Sequence, residues 1–133
     1  MRLIDKIALI ELKDGKVLST RSKGKDVYYF PGGKRDGEET DEETLIREVK
    51  EELDVAVKPE SIEYYGKFEA QAHGKEEGIL VQMTCYTAKY EGELKPSSEI
   101  EEIVWLTYRD REKSSPVDQI IFEDLYQKGL IAD

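Results

Sequence analysis

One stretch of the sequence, residues 33 to 55, limits the fold and chemistry of this chain more than any other. It begins with glycine after a Pro-Gly pair, passes through a dense acidic segment and ends with helical periodicity. At about 100° per residue, its apolar side chains fall on one face of a helix. We therefore expect an amphipathic helix over residues 40 to 53 that buries Leu45, Ile46, Val49 and Leu53.

Three carboxylates are expected beside that apolar face. Glu48, Glu51 and Glu52 are spaced so that their side chains are neighbours on the helix surface. Like charges at this spacing destabilise a helix by about 0.2–0.5 kcal/mol per pair, unless a cation lies between them. Hard divalent ions such as Mg²⁺ prefer oxygen ligands and bind through a few carboxylates plus substrate phosphates. The alternative is a plain solvated acidic face, and spacing alone leaves both interpretations open.

The same stretch resembles the signature of the Nudix (MutT-like) hydrolases, G-x5-E-x7-R-E-U-x-E-E-x-G-U, where U is aliphatic. The lead-in over residues 30 to 34 is also typical of that family. One position departs from the pattern: Asp54 stands where the signature has glycine. We still expect the helix to end there, because Asp tolerates the left-handed conformation better than most residues. The matching positions are Gly33, Glu39, Arg47, Glu48, Val49, Glu51, Glu52 and Val55.

The resemblance implies an α/β protein with the Nudix fold, an α/β/α sandwich with a mixed β-sheet, as a single domain over residues 1–133. Members of this family typically cleave a nucleoside diphosphate linked to another group X, using Mg²⁺ or Mn²⁺ and water. The expected substrate is therefore a small nucleotide, either a nucleoside triphosphate or a nucleotide sugar. The signature does not identify the group X.

The resemblance also implies roles for individual residues. Glu48, Glu51 and Glu52 are expected metal ligands and catalytic residues, with Arg47 as their support. Helical spacing suggests that Arg47 pairs with Glu43 and Glu51.

A further acidic residue is expected from a loop. Glu99 lies six residues before Trp105, which matches a glutamate that family members often carry opposite the helix carboxylates. It is either a further ligand or a general base, with Glu101 and Glu102 as alternatives; Glu48 is the other candidate base.

Substrate contacts are expected before the helix. Gly32 and Gly33 allow close backbone approach to a ligand, and Lys34 is a candidate phosphate contact in a loop that the family places by the phosphate chain. Tyr28 and Tyr29 alternate faces, so one is core and the other, assigned here as Tyr29, could stack on a base or sugar. Lys23, Lys25 and His73 are interpreted as solvated loop residues, with substrate contact as the alternative.

The composition of the chain argues against several classes of protein. The net charge of −10 argues against broad binding of a nucleic-acid backbone, which needs a basic surface. No apolar run is long enough to span a membrane, and the single cysteine, Cys85, excludes an intrachain disulfide. We expect a cytoplasmic protein, monomer or homodimer. The absence of asparagine disfavours those oxidised-purine triphosphatases that read the base with an asparagine near the last helix.

Two other functions compete with hydrolysis. One is a catalytically silent Nudix-fold module that senses nucleotides, although such modules usually lose the glutamates that this chain retains. The other is an acidic protein-interaction domain, which explains the charge but not the glycine and glutamate spacing. Periodicity outside the central stretch predicts a helix over residues 117 to 128 and strands over residues 3–11, 17–21, 27–30, 55–57, 62–72, 79–90 and 99–106.

Overall fold

The computed structural model describes residues 2–72 and 77–133. His73 lies outside these residues. The described chain forms two α-helices, α1 (Asp41–Leu53) and α2 (Pro116–Gln127), two short 3-10 helices (Pro59–Ser61 and Tyr108–Lys113) and nine strands. The strands are β1 (Arg2–Leu9), β2 (Leu12–Lys13), β3 (Lys16–Ser22), β4 (Gly32–Lys34), β5 (Ala56–Val57), β6 (Glu63–Gln71), β7 (Ile79–Thr87), β8 (Tyr90–Glu91) and β9 (Ile100–Leu106).

A four-stranded sheet in the order β4-β1-β7-β6 forms the centre of the fold. Strand β1 runs parallel to β7 and antiparallel to β4, and β6 is antiparallel to β7. A second sheet has the antiparallel order β2-β3-β9, and β5 pairs with β8. The expected mixed sheet is therefore present.

The two helices cover opposite faces of the central sheet, as the alternation along β1 requires. Ile7 and Leu9 belong to a buried cluster with the apolar face of α1. Ala8, on the same strand but the opposite face, belongs to a second cluster with Ile121 and Phe122 of α2. This layering confirms the predicted α/β/α sandwich.

The ends of α1 follow from its sequence. Thr40 is the N-cap: its side chain accepts a hydrogen bond from the Glu43 amide, and the Glu43 carboxylate accepts one from the Thr40 amide. This capping box satisfies two otherwise unpaired amides. At the other end Asp54 adopts the left-handed conformation, with φ 57° and ψ 38°. The helix thus ends without the signature glycine, as predicted.

Other expectations were wrong. Residues 27–30 do not form a regular strand, whereas residues 32–34, expected as a loop, form β4 against β1. On α2, Ile121 and Leu125 are fully buried as predicted, but Ile120 is exposed, as is Leu130 just beyond the helix. No helix in the described ranges is long and apolar enough to cross a membrane.

Candidate active site

The short strand β4 lies against both β1 and α1 and forms one wall of a cleft. Gly32 has φ 146°, and a Cβ at this residue would collide with the carbonyl oxygen of Ile7. A Cβ on Gly33 would lie only 2.5 Å from Glu48 Oε1. Gly32 therefore requires glycine, because a side chain would collide with the backbone of β1. A side chain at Gly33 would instead have to displace the Glu48 carboxylate.

Glu52 is the most deeply buried acid of α1, with 7% of its surface exposed. The Gly32 amide donates to its Oε1 at 3.0 Å, which fixes the carboxylate against β4. Burial raises the pKa of Glu52 to about 8, and the charges of Glu48 and Glu99 act in the same direction. The Gly32 hydrogen bond and the charge of Lys6 oppose this shift without cancelling it. The site therefore holds a carboxylate whose charge the protein alone does not compensate.

Arg47 joins the carboxylates of the helix to the segment before it. Its guanidinium donates to both carboxylate oxygens of Glu39, at 2.7 and 2.9 Å, and to Glu48 Oε2 at 2.7 Å. A longer contact of 3.4 Å reaches Glu51, and another hydrogen bond reaches the Lys34 carbonyl oxygen. The hydrogen bonds from Arg47 hold the pKa of Glu39 at about 2. The paired Nε and Nη2 donors of this fork fit a carboxylate in a way that a lysine cannot reproduce.

The predicted pairing of Arg47 was partly wrong. Glu51 is a partner, but Glu43 is occupied by the helix cap. The arginine contacts Glu39, eight residues earlier, because the chain before α1 folds back along the helix. Glu51 itself is exposed and makes only the long contact with Arg47 among the described residues.

The loop that carries Glu99 is tied to the end of α1. The amides of Lys95 and Ser97 donate to the carbonyl oxygens of Leu53 and Glu52. Glu99 is exposed, yet its charge acts on both Glu48 and Glu52. The four acids predicted as ligands therefore lie at one end of the cleft. Glu101 and Glu102, the alternatives, instead pair with Arg21 of the neighbouring strand β3.

Carboxylates suit a hard divalent cation, although no group of three or more acidic, histidine or cysteine side chains among the described residues is arranged to hold a metal ion as the side chains stand. Burial raises the pKa of Glu48, and the charges of Glu51 and Glu99 oppose its ionisation. Carboxylate oxygens are the ligands that Mg²⁺ prefers, and Mg²⁺ typically keeps waters and uses only a few protein ligands. Glu48, Glu51, Glu52 and Glu99 therefore offer suitable chemistry in an open arrangement.

The cleft continues away from the carboxylates along β4. One cavity of about 170 Å³ is lined by Gly32, Gly33 and Glu52, together with Lys6 and Tyr29. An adjoining cavity of about 180 Å³ extends from Tyr29 towards the start of α2, and Lys34 also lines it. The predicted substrate contacts are therefore brought together beside the predicted ligands. Tyr28 points elsewhere: its hydroxyl donates to Glu102.

Sequence reasoning missed two charged residues, one that lines this cleft and one buried behind it. Lys6 lies in the middle of β1, on the same face as Ile4 and Ala8. Asp118 lies in the first turn of α2 and is fully buried. The sequence did contain a signal for Lys6, because this lysine interrupts the apolar run of residues 3–11. The burial of Asp118 could not be predicted from the sequence, because an acid near the start of a helix is ordinarily explained by the helix dipole.

Comparison with known proteins gives one family and several solved structures. A family model described as the NUDIX domain matches residues 2–125. The E. coli ORF135 protein is 24% identical, with 96% of this chain and 91% of that chain covered and a TM-score of 0.74. A MutT protein from Bacillus halodurans is 25% identical, with 90% and 80% covered and a TM-score of 0.68. A UDP-X diphosphatase is 16% identical, with 97% and 64% covered and a TM-score of 0.71. No curated protein matches the chain at a significant level.

Proposed function

The chain belongs to the Nudix hydrolase family, and from this premise we propose that it cleaves the pyrophosphate linkage of a nucleoside diphosphate derivative by attack of water, using Mg²⁺ or Mn²⁺. The observation that carries the proposal is the buried Glu52 carboxylate, held by the Gly32 amide and surrounded by the charges of Glu48 and Glu99. A protein gains nothing in stability from such an arrangement, because like charges in a partly buried site repel one another. A cation and a polyanionic substrate together would balance it.

We assign a role to each residue of the site from its position. Glu52, Glu48, Glu51 and Glu99 are the proposed metal ligands. The chemistry that a bound divalent ion supplies here is neutralisation of phosphate charge and a lower pKa for water. Arg47 orients the Glu48 carboxylate through its 2.7 Å hydrogen bond.

Removal of a proton from the attacking water is assigned to Glu48 or Glu99. Burial raises the pKa of Glu48, and the charge of Glu99 acts in the same direction. Either carboxylate becomes a suitable base only where it is within hydrogen-bond reach of the water.

The polyphosphate is proposed to lie along β4. The Gly32–Gly33 backbone allows close approach, and Lys34 extends from the same strand at the edge of the cleft. The positive charge of Lys34 would attract the negatively charged polyphosphate of the substrate. The net charge of −10 disfavours the binding of long nucleic acids. A nucleoside triphosphate and a nucleotide sugar both satisfy this description.

A phosphate-release screen tests the proposal. Wild-type protein with Mg²⁺ or Mn²⁺ is incubated with nucleoside triphosphates, nucleotide sugars and dinucleoside polyphosphates, beside the variants Glu52→Gln and Glu42→Gln. Glu42 is an exposed acid in the first turn of the same helix, so its variant removes the same charge outside the cleft. We expect metal-dependent cleavage that Glu52→Gln reduces by roughly a hundredfold or more and that Glu42→Gln preserves. Nucleotide binding without any cleavage would instead indicate a sensor module.

A further inference from the structure

Strand β6, at one end of the central sheet, presents a long open edge. It runs over Glu63–Gln71, and β7 is its strand partner among the described residues. The opposite edge, β4, has only three residues, and α1 covers it: Arg47 donates to the Lys34 carbonyl oxygen, and Glu52 accepts from the Gly32 amide. Proteins usually shorten or cover such edges, because the unpaired N–H and C=O groups can bind another strand. The sheet can therefore be extended at β6.

The pairing of β6 with β7 identifies the backbone groups that point outwards. The Ala72 amide donates to the Ile79 carbonyl oxygen at 2.9 Å. Hydrogen-bonded residues alternate along an antiparallel ladder, so Phe68, four residues before Ala72, also directs its backbone groups towards β7. Lys67 and Glu69, on either side of Phe68, direct theirs away from the sheet.

The side chains of Lys67 and Glu69 are exposed on one face of β6, because residues two apart in a strand share a face. The charge of Lys67 acts on Asp41. Neither Lys67 nor Glu69 forms an ion pair or a side-chain hydrogen bond within the part of the chain that the structure describes. The open edge therefore carries two opposite charges, each available to a partner.

This order of charges favours one register for pairing with a second copy of the chain. Two-fold symmetric antiparallel strands place outward-pointing residues opposite one another. A pairing centred on Lys67 or on Glu69 would put that residue opposite itself, and like charges directly opposite are destabilising. A pairing centred on Phe68 instead puts Lys67 of each copy opposite Glu69 of the other.

An exposed apolar side chain lies above the same centre. Ile120 of α2 is 43% exposed. One turn later on the same side of the helix, Asp124 accepts a hydrogen bond from the Tyr65 hydroxyl of β6 at 2.7 Å. The first turn of α2 lines a cavity together with the last residue of β6. Ile120 is midway between these two contacts, so it lies near the level of Phe68, on the side of α2 that faces the open edge.

The spacing of strands and helices is compatible with this pairing. Helix α2 packs against both β6 and β7. Strands are about 4.8 Å apart, so a helix above the boundary of β6 and β7 lies about 5 Å from a two-fold axis half a strand spacing beyond β6. The α2 helices of two copies would then be about 10 Å apart, which is an ordinary distance for packed helices.

We propose that a second copy of this chain docks at the open edge of β6, antiparallel and centred on Phe68, so that the two four-stranded sheets become one continuous sheet. Lys67 and Glu69 of each copy exchange backbone hydrogen bonds and pair their charges with the second copy, and the Ile120 side chains pack together above them. The proposed active site lies at β4, the opposite edge of each sheet. Both clefts therefore stay open, and the proposal does not depend on the hydrolase function.

Sedimentation equilibrium of the full chain over a range of concentrations tests the proposal. We expect a monomer–dimer equilibrium for wild type. Lys67→Glu and Glu69→Lys each oppose like charges at the edge, so each should raise the dissociation constant by roughly tenfold or more. Lys16→Glu makes the same charge change as Lys67→Glu at an exposed position of β3, in the other sheet, and should leave the constant unchanged. Glu69→Lys lowers the net negative charge, so overall repulsion cannot explain weaker association by that variant.

Mixing the two variants tests the register. An equimolar mixture of Lys67→Glu and Glu69→Lys opposes acid to base in both charge pairs, so it should associate about as tightly as wild type, and so should the double variant. Recovery would also show that both single variants are folded. Ile120→Gln should weaken the dimer. The amides of Lys67 and Glu69 should exchange their hydrogens slowly at high protein concentration and faster on dilution, because only the dimer pairs them.

Three results would overturn the proposal: a wild-type protein that stays monomeric at the highest concentration reached, a dimer that neither single charge variant weakens, or single variants that do not associate when mixed. The initial rate of hydrolysis per chain should be equal in wild type and Lys67→Glu, because the interface lies away from the cleft. Association of a chain that cleaves no substrate would support the interface and refute only the hydrolase.

Discussion

Replacing Asp118 with asparagine should stabilise the protein, and by an amount that depends on pH. Burial raises the pKa of this carboxyl from 3.8 to about 7, against the opposing influence of the Phe30 hydrogen bond and the charge of Lys6. Because the native state holds its proton more tightly than the unfolded state, the wild-type protein loses stability as pH rises between these two values. Below about pH 4 the penalty is absent, and above pH 7 it is complete.

The size of this effect on the free energy of unfolding follows from the pKa shift of Asp118. Each unit of pKa difference corresponds to about 1.4 kcal/mol, so ionised Asp118 costs about 4 kcal/mol at pH 8 and about 1.7 kcal/mol at pH 5. Asparagine can still accept the Phe30 hydrogen bond through its amide oxygen and carries no charge. The variant should therefore gain about 2.5 kcal/mol relative to wild type between pH 5 and pH 8.

Urea denaturation at pH 5 and pH 8 measures this difference directly, and we expect the two midpoints to diverge by on the order of 1 M over this range. Asp124→Asn is the control with opposite sign. Burial works to raise the pKa of Asp124, but Tyr65 and Lys128 outweigh it and the pKa is lowered, so the loss of that carboxylate should destabilise the protein at pH 8. A gap between wild type and Asp118→Asn that is the same at both pH values would refute the argument.

Three further predictions concern the cleft. Gly33→Ala should reduce turnover by roughly tenfold or more, because its Cβ would displace the Glu48 carboxylate; unchanged steady-state rates would contradict this. Arg47→Lys keeps the charge but loses the paired hydrogen bonds to Glu39, so it should lower both kcat and the free energy of unfolding, the latter by about 1–3 kcal/mol; urea melts and initial rates measure the two. Removal of divalent ions with EDTA should abolish cleavage, and added Mg²⁺ should restore it in wild type but not in Glu52→Gln; full activity in EDTA would exclude the proposed role of the ion.

The parts of the fold that sequence predicted are those set by local interactions. The end of α1 at the left-handed Asp54 depends on contacts within one turn of helix. The burial of Leu45, Val49 and Leu53 follows from the helical period. Such features depend on residues that are close together in the chain, so the spacing of residue types along the sequence is enough to predict them.

The parts that sequence missed depend on partners far along the chain. Strand β4 exists because β1, about 25 residues earlier, supplies its hydrogen-bond partners, and its glycines gave no strand signal of their own. Arg47 pairs with Glu39 because the preceding segment folds back along α1, a geometry outside the helical period. Ile120 is exposed although its neighbour Ile121 is buried, because only one side of α2 faces the sheet.

The distribution of charge in the cleft suggests how a chain with net charge −10 takes in a polyanion. Acids gather at one end, around Glu52, where a divalent ion would reverse the local sign. Lys6 and Lys34 face each other in the middle, where their like charges repel. Burial raises the pKa of Glu52, so its carboxylate is also uncompensated by the protein alone. A divalent ion beside Glu52 and a phosphate chain along the two lysines would compensate both ends of the cleft, so the ion and the substrate would together supply the missing partners.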